Sequence, residues 1–280
     1  METVLVVGLL ALFGVLETLA GVYSHAKLRS DDWIINLVSL GHLSIIVRPA
    51  MLGIVAFVLG GLAPEFEGSL ASTPLWIAVL AVLLSDEFLH YWYHRRGHEW
   101  GWLRKIHRTH HTTPSLNVGV SYRENILWFV LMPNLWYGAL AIFLGLGQAL
   151  VISTMIIGTV LIITHAGIDY DRVLYQGRSG RLLRPLISVL ECIIVFPDTH
   201  RAHHGFGEWS HEQGNYSTLV FFYDVIFGTA ALPHHPPASI GIENDPKDPW
   251  YVQLYRPFVK ASDPSSELAT TPPRQTVSDS

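Results

Sequence analysis

Charge is scarce in this chain: only 15% of its 280 residues are Asp, Glu, Lys or Arg, where soluble domains carry about 25%. Half of the residues are hydrophobic, and mean hydropathy is +0.32. With long apolar runs, the deficit excludes an ordinary soluble domain and points to an integral membrane protein. Cysteine is nearly missing as well. Cys192 stands alone, which excludes an intramolecular disulfide framework and a cysteine-ligated metal site. Residues 1–22 are apolar but have no basic leader and no convincing cleavage site, so they read as a retained first helix, not a signal peptide. No internal repeat is present, and the net charge of −5 says little about partners; nothing in the pattern calls for nucleic acid.

The apolar runs set an expected topology. After 1–22 comes 33–63, which holds His42, Arg48 and Pro49; it reads as one kinked, tilted span or two short pieces. Residues 73–90 form a third span, and 125–147 with 148–166 read as a hairpin of two more, broken at Gly145-Leu-Gly-Gln148. Basic residues orient these spans. Arg95, Arg96, Arg104, Lys105, Arg108 and Arg123 fall in one connecting segment, Arg172, Arg178, Arg181, Arg184 and Arg201 in another, and Lys27 and Arg29 in the first loop. The loop near 64–72 has Glu65 and Glu67 but no Lys or Arg. The positive-inside rule then puts the three basic segments in the cytoplasm, which favours a single span in 33–63 and an outside N-terminus. Nine Trp and eleven Tyr suit interfacial aromatic belts. Residues 182–197 read as an amphipathic helix lying at the interface, 233–250 as a Pro-rich loop, and the tail from 261 as disordered. The expected fold is all-α integral membrane, with about four to five transmembrane helices and a cytoplasmic helical cap. Its divisions are 1–72 (N-terminal membrane helices), 73–232 (catalytic domain) and 233–280 (loop-rich tail).

Histidine is what the chain has in excess: fifteen residues, most of them clustered. His90, His94 and His98 are spaced by four; His107, His110 and His111 form one His-x-x-His-His, and His200, His203 and His204 another. At this histidine content one such motif arises by chance roughly once in 25 chains, and two roughly once in a thousand, by template counting. On a helix, residues at i, i+3 and i+4 project from one face, so each cluster is expected to aim its imidazoles at one point. Imidazole nitrogens suit Zn, Cu, Fe and Ni. With His165 at the end of the fifth span, nine candidates result: His94, His98, His107, His110, His111, His165, His200, His203 and His204. Nine are too many for one four-coordinate ion and suitable for two. The topology, derived without the histidines, puts all nine on the cytoplasmic face. His90 reads as a packing or supporting residue slightly more readily than as a tenth ligand; His25, His42, His234 and His235 read as bystanders; His211 is left open. No Glu-x-x-His pair of the soluble di-iron bundles is found. Asp86, Glu87 and Asp169 are the nearest carboxylates and are candidates to hydrogen-bond ligand histidines; a helix reaching the interface explains Asp86 and Glu87 equally well.

These motifs resemble the histidine boxes of the fatty acid hydroxylase / sterol desaturase superfamily, over about residues 75–230. The likeness includes Asn215-Tyr216 and the Tyr223-Asp224-Val-Ile-Phe227-Gly228-Thr229 ending. His165-Ala-Gly-Ile-Asp169 is similar to a feature of C-4 methylsterol oxidases, which also carry a His at the place of His90. Pro197-Asp-Thr-His200-Arg-Ala-His203-His204-Gly is similar to alkylglycerol monooxygenase-like members. Ser217 stands where the family has Gly, Tyr223 where it has Trp, and Asp169 where some members have a second His. The resemblance implies two iron ions on the nine histidines (zinc being accepted by the same nitrogens in a purified sample), and O2-dependent attack on an unactivated C–H bond of a lipid. The non-membrane part is too short for a fused reductase or cytochrome domain, so an external electron donor is expected: ferredoxin, cytochrome or flavoprotein reductase. Hydroxylation is the preferred reaction, ahead of sterol or fatty-acyl desaturation and carotenoid hydroxylation. A His-rich metal transporter is a distant rival, because residues 125–164 carry almost no ionisable group to pass an ion.

Overall fold

The computed structural model describes residues 2–168 and 177–260, with side chains from residue 6 and, in the second stretch, from residue 182. Asp169, Arg172 and the tail from 261 lie outside the described residues, as do the side chains of Arg178 and Arg181. The described chain is mostly helical. Among the described residues, three helices are long and apolar enough to cross a membrane: Ser30–Leu62, Leu75–Glu99 and Gly147–His165.

Helix α1 (Glu2–Leu19) ends just before Gly21, whose positive φ of 74° reverses the chain into the short turn Val22–His25. Its Val6, Leu9, Leu10 and Phe13 pack against Val118, Ile162 and Ala166. Glu17, an odd charge in an apolar run, is fully buried. It accepts hydrogen bonds from Tyr23 Oη (2.5 Å), Val118 N (3.0 Å) and Gly167 N (2.8 Å), so it pins the end of α1 to two distant loops. Glu17→Ala would orphan two backbone donors at about 1–3 kcal/mol each. A fall in melting temperature of the purified protein is the expected outcome, and an unchanged value would show that water replaces the carboxylate.

Helix α2 (Ser30–Leu62) resolves the choice between one piece and two: it is a single continuous helix of 33 residues. It begins with the Asp32 carboxylate accepting from Arg29 N. Pro49 removes the bond to the Ile45 carbonyl, and the helix accommodates this with π turns over His42–Val47. At 1.5 Å per residue it is about 50 Å long, more than the ~30 Å hydrocarbon core. Ile45 and Phe57 remain 77% and 84% exposed, as lipid-facing side chains would.

Helix α3 (Leu75–Glu99) outruns the expected span at 73–90 by more than two turns, and those turns carry His94 and His98. Trp100 is extended (φ −95°, ψ 117°) and α4 (Gly101–His111) starts immediately after it. The expected span at 125–147 is not one continuous helix. It is two short helices, α5 (Ile126–Leu131) and α6 (Pro133–Phe143). Proline disfavours the helical region for the residue before it, and here Met132 is extended (ψ 112°). Alone, at eleven residues and ~16 Å, α6 is too short to cross the core; α5 and α6 together carry the chain from Glu124, beside His107 and His110, to Phe143 and Leu144, whose carbonyls accept from Gly68 N and Leu70 N. Helix α7 (Gly147–His165) packs along α3 and α1.

Helix α8 (Gly177–Leu190) leaves Leu182, Leu186 and Val189 exposed and buries Ile187. It stops earlier than the expected 182–197 helix, because α9 (Pro197–His203) restarts at Pro197. Helices α10 (Phe222–Ile226) and α11 (Trp250–Tyr255) follow. A two-residue antiparallel pair, β1 (Gly205–Phe206) with β2 (Ser239–Ile240), departs from the purely helical expectation. It starts to close the expected loop at 233–250 onto the cap, and Arg108 of α4 completes this by pairing with Asp245 and with Asp248 (2.7 Å).

Candidate metal centre

Nine histidines from four helix ends meet in one buried place. Helix α3 supplies His94 and His98 in its last turns, α4 His107, His110 and His111, α7 its terminal His165, and α9 His200, His203 and the capping His204. None of the nine is more than 5% exposed. They form two groups: His94, His98, His107, His111 and His203; and His110, His165, His200 and His204. Within each group one nitrogen per residue lies within 4.8 Å of all the others. The groups abut, with the His111 and His204 rings stacked at 4.5 Å.

The expectation that each cluster aims at one point is corrected for the two His-x-x-His-His motifs. Successive residues on a helix are 100° apart, so adjacent histidines diverge while i and i+4 nearly align. His107 and His111 join the first group and His110 the second; His200 and His204 join the second and His203 the first. Each motif thus gives its i, i+4 pair to one group and its i+3 residue to the other, and the two groups are cross-linked by both helices.

Backbone carbonyls fix the rings from behind. His94 Nδ1 donates to Tyr216 O and His203 Nδ1 to Gly214 O, both at 2.7 Å; His165 Nδ1 donates to Leu161 O at 2.8 Å and His110 Nδ1 to Arg123 O at 3.2 Å. With the proton on Nδ1, the lone pair of Nε2 faces inward. There the Nε2 atoms crowd: His94 to His203 is 3.0 Å, His165 to His200 3.0 Å, and His200 to His204 3.1 Å. Burial, reinforced by neighbouring imidazoles, holds His107, His111, His200 and His204 well below the usual imidazole range. It takes His203 down to about 3. All five are therefore neutral lone-pair donors at neutral pH. His98 has both ring nitrogens buried without a hydrogen-bond partner. Convergent, neutral, dry nitrogens with unmet lone pairs fit first-row metal ions, and the number of donors fits two.

Other residues support this arrangement. Asp224, buried in α10, accepts from Tyr216 N and Ser217 N (2.8 Å each) and from Thr229 Oγ1 (2.7 Å). Asn215, at a positive φ of 57°, donates to Thr199 O and Ala231 O. The Asn-Tyr and Asp-x-x-Phe-Gly-Thr motifs are thus the scaffold that presents the Gly214 and Tyr216 carbonyls to the rings. Loss of such supports typically costs ~10–100-fold in metal affinity. Asp224→Asn should reproduce that loss in a chelator-competition titration; wild-type affinity would show that the loop holds its shape unaided. Gly97 is needed for close approach: a Cβ there would lie 2.6 Å from the Trp128 ring, which stacks on His107 at 4.0 Å.

The carboxylates expected behind the ligands are elsewhere. Asp86 accepts from Asn134 (3.3 Å), and Glu87 from Leu219 N (2.6 Å) and Val220 N (2.9 Å). Glu124, which spacing did not single out, takes that place: its Oε1 lies 3.5 Å from Nδ1 of both His107 and His110. Burial pushes its carboxyl well above the usual range. His90 sits in neither group; its ring meets His94 edge-on at 5.5 Å. His42 Nε2 lies 3.2 Å from Tyr255 Oη, His25 and His235 are exposed, and His211 is half-buried outside both groups. His234 lies 3.5 Å from Asp198 and 3.6 Å from Glu191.

A cavity of about 230 Å³ adjoins the centre. His94, His107, His110, His165 and His200 form its roof, and side chains such as Leu43, Phe129, Leu135, Ile142, Leu150 and Leu161 form much of its walls.

Helices of membrane-crossing length with a buried polyhistidine cluster at their ends define a membrane protein with a candidate metal centre beside a cavity whose walls are largely apolar. The chain belongs to the fatty acid hydroxylase family, whose model matches residues 79–229. Among curated proteins it is similar to alkylglycerol monooxygenase of Homo sapiens, 27% identical over 53% of this chain and 29% of that protein. It is also similar to alkylglycerol monooxygenase of Danio rerio, 26% identical over 66% of this chain and 37% of that protein. The chain spans about a third of the length of these relatives. No solved structure matches it.

Proposed function

We propose that this chain is an O2-dependent membrane oxidoreductase that hydroxylates a C–H bond of a lipid, using two iron ions held by the five- and four-histidine groups. The observation that carries this reading is the single cavity with largely apolar walls that reaches both groups, through His94 and His107 on one side and His110, His165 and His200 on the other. Bound iron would supply the oxygen activation that no side chain provides. The protein does the rest. The imidazoles hold the ions, four of them (His94, His110, His165 and His203) with Nδ1 protons fixed on carbonyls; the apolar walls take up an alkyl or ring system and exclude water, and Trp128 on His107 closes one flank. The basic segments put the histidine face in the cytoplasm, where a ferredoxin, cytochrome or flavoprotein reductase would deliver electrons. The names of the relatives favour oxygen insertion over desaturation.

The test is metal analysis of the purified protein, followed by O2 consumption with a reductant and mass spectrometry of added lipid extract. Two iron ions per chain and a lipid gaining one oxygen atom are expected, with the zinc-loaded protein inactive. A lipid losing two hydrogens would make the chain a desaturase. No O2-dependent product from fully iron-loaded protein would overturn the reading.

A further inference from the structure

The cavity is not apolar throughout. About halfway along α3, and away from the histidine roof, Asp86 and Glu87 line it, with Arg48 of α2 and Asn134 of α6. Asp86 is 7% exposed and Glu87 1%. Arg48 and Asp86 line the same cavity, and Asn134 Nδ2 donates to the Asp86 carboxylate. Glu87 uses Oε2 to hold the Leu219 and Val220 amides. That explains one of its oxygens only, because Oε1 is buried with no hydrogen-bond partner, and so is Asn134 Oδ1. Polar groups inside a membrane helix are costly and mark function, and buried acceptors without donors have a missing partner.

The chemistry of that partner follows from the atoms left over. Both are acceptors, so the partner must donate a hydrogen bond. A carboxylate or phosphate offers no proton and would bring its charge against two acidic side chains. A hydroxyl fits, since it can donate to Glu87 Oε1 or Asn134 Oδ1 and accept from Arg48. Asp86 precedes His94 by eight residues, about 12 Å along the helix axis. Resting on the proposed function of the histidine centre, we propose that Asp86, Glu87 and Asn134 form a hydroxyl-binding subsite. The substrate is then a lipid alcohol whose hydroxyl is held about 12 Å along α3 from the histidines that face the oxidised carbon. Glu87 and Asn134 orient the substrate; Asp86 excludes anionic lipids.

The test reads binding, not turnover. The purified full chain in nanodiscs is titrated with a radiolabelled long-chain primary alcohol, with the alkane, carboxylic acid and amine of equal chain length as competitors. The alcohol should bind about tenfold more tightly than each competitor, which is ~1.4 kcal/mol. Asn134→Leu should erase most of that preference while leaving alkane binding in place. Asp86→Asn, nearly isosteric, should strengthen binding of the carboxylic acid and so reports on the subsite even where the leucine variant fails to fold. Equal binding of alcohol and alkane, a preference for the acid or the amine, or an undiminished alcohol preference in folded Asn134→Leu would overturn the subsite. Metal content and O2 consumption are measured on the same sample. Loss of those with intact alcohol preference would overturn the proposed function and leave the subsite standing.

Discussion

Alanine in place of His165 is expected to strip the four-histidine group of its ion and abolish oxidation, whereas alanine at His98 is expected to leave most of the metal bound. The difference follows from donor number. The second group has His110, His165, His200 and His204 and no spare nitrogen, so losing one leaves three. The first group has five, and four nitrogens still complete a tetrahedral set. The rear contacts differ as well, since His165 is locked by Leu161 O while neither nitrogen of His98 has a hydrogen-bond partner. Supports behind a ligand are worth ~10–100-fold in affinity, so removing a ligand from the smaller set should exceed that. Elemental analysis after gel filtration reads the result: about one ion per chain for His165→Ala, close to two for His98→Ala. Equal loss from both variants would mean that the groups do not fill independently.

Arg123→Met should be the most destabilising single change in the cap. The guanidinium is fully buried. It pairs with Asp32 Oδ1 (3.0 Å) at the start of α2 and donates to Thr109 O (2.9 Å) and Thr112 Oγ1 (3.0 Å) at the end of α4, and to Gln253 Oε1 (3.4 Å) of α11. Its own carbonyl holds His110. Removing one partner of such a buried pair costs about 3–5 kcal/mol, because the carboxylate left behind has no counter-charge. The variant should melt well below the wild type and lose metal from the four-histidine group first. The double variant Arg123→Met with Asp32→Asn should recover part of the loss, since it no longer buries a lone carboxylate. No recovery would place the effect in the other hydrogen bonds of Arg123.

Much of the site was legible because its information is local. Helical spacing alone brings His94 to His98 and His107 to His111, and hydropathy alone finds the three long helices. The crosswise split of the two His-x-x-His-His motifs was within reach of the same geometry, since neighbours 100° apart cannot share a ligand point. The break at Pro133 was legible too, from the restriction that proline puts on Met132; in an apolar run, hydropathy masked it. Glu124 is different. It follows Arg123 with no motif around it, and its place behind His107 and His110 comes from the way residues 118–122 pack against α1, α2 and α7 and then return Arg123 and Glu124 to α4.

The amino-acid sequence by itself determined that this is a membrane protein and pointed to the nine histidines that the fold gathers. The first follows from composition and hydropathy, and eight of the nine histidines from spacings of three and four residues; His165 follows from its place at the end of an apolar run. Only the tertiary structure decided how the nine divide into five and four, which carbonyls and carboxylates stand behind them, and that the chamber beneath them carries unpaired acceptors at Glu87 and Asn134. The reason is distance along the chain. His94 finds Tyr216 at a separation of 122 residues and His203 finds His94 at 109. Contacts of that range are set by how helices pack, which no local periodicity encodes.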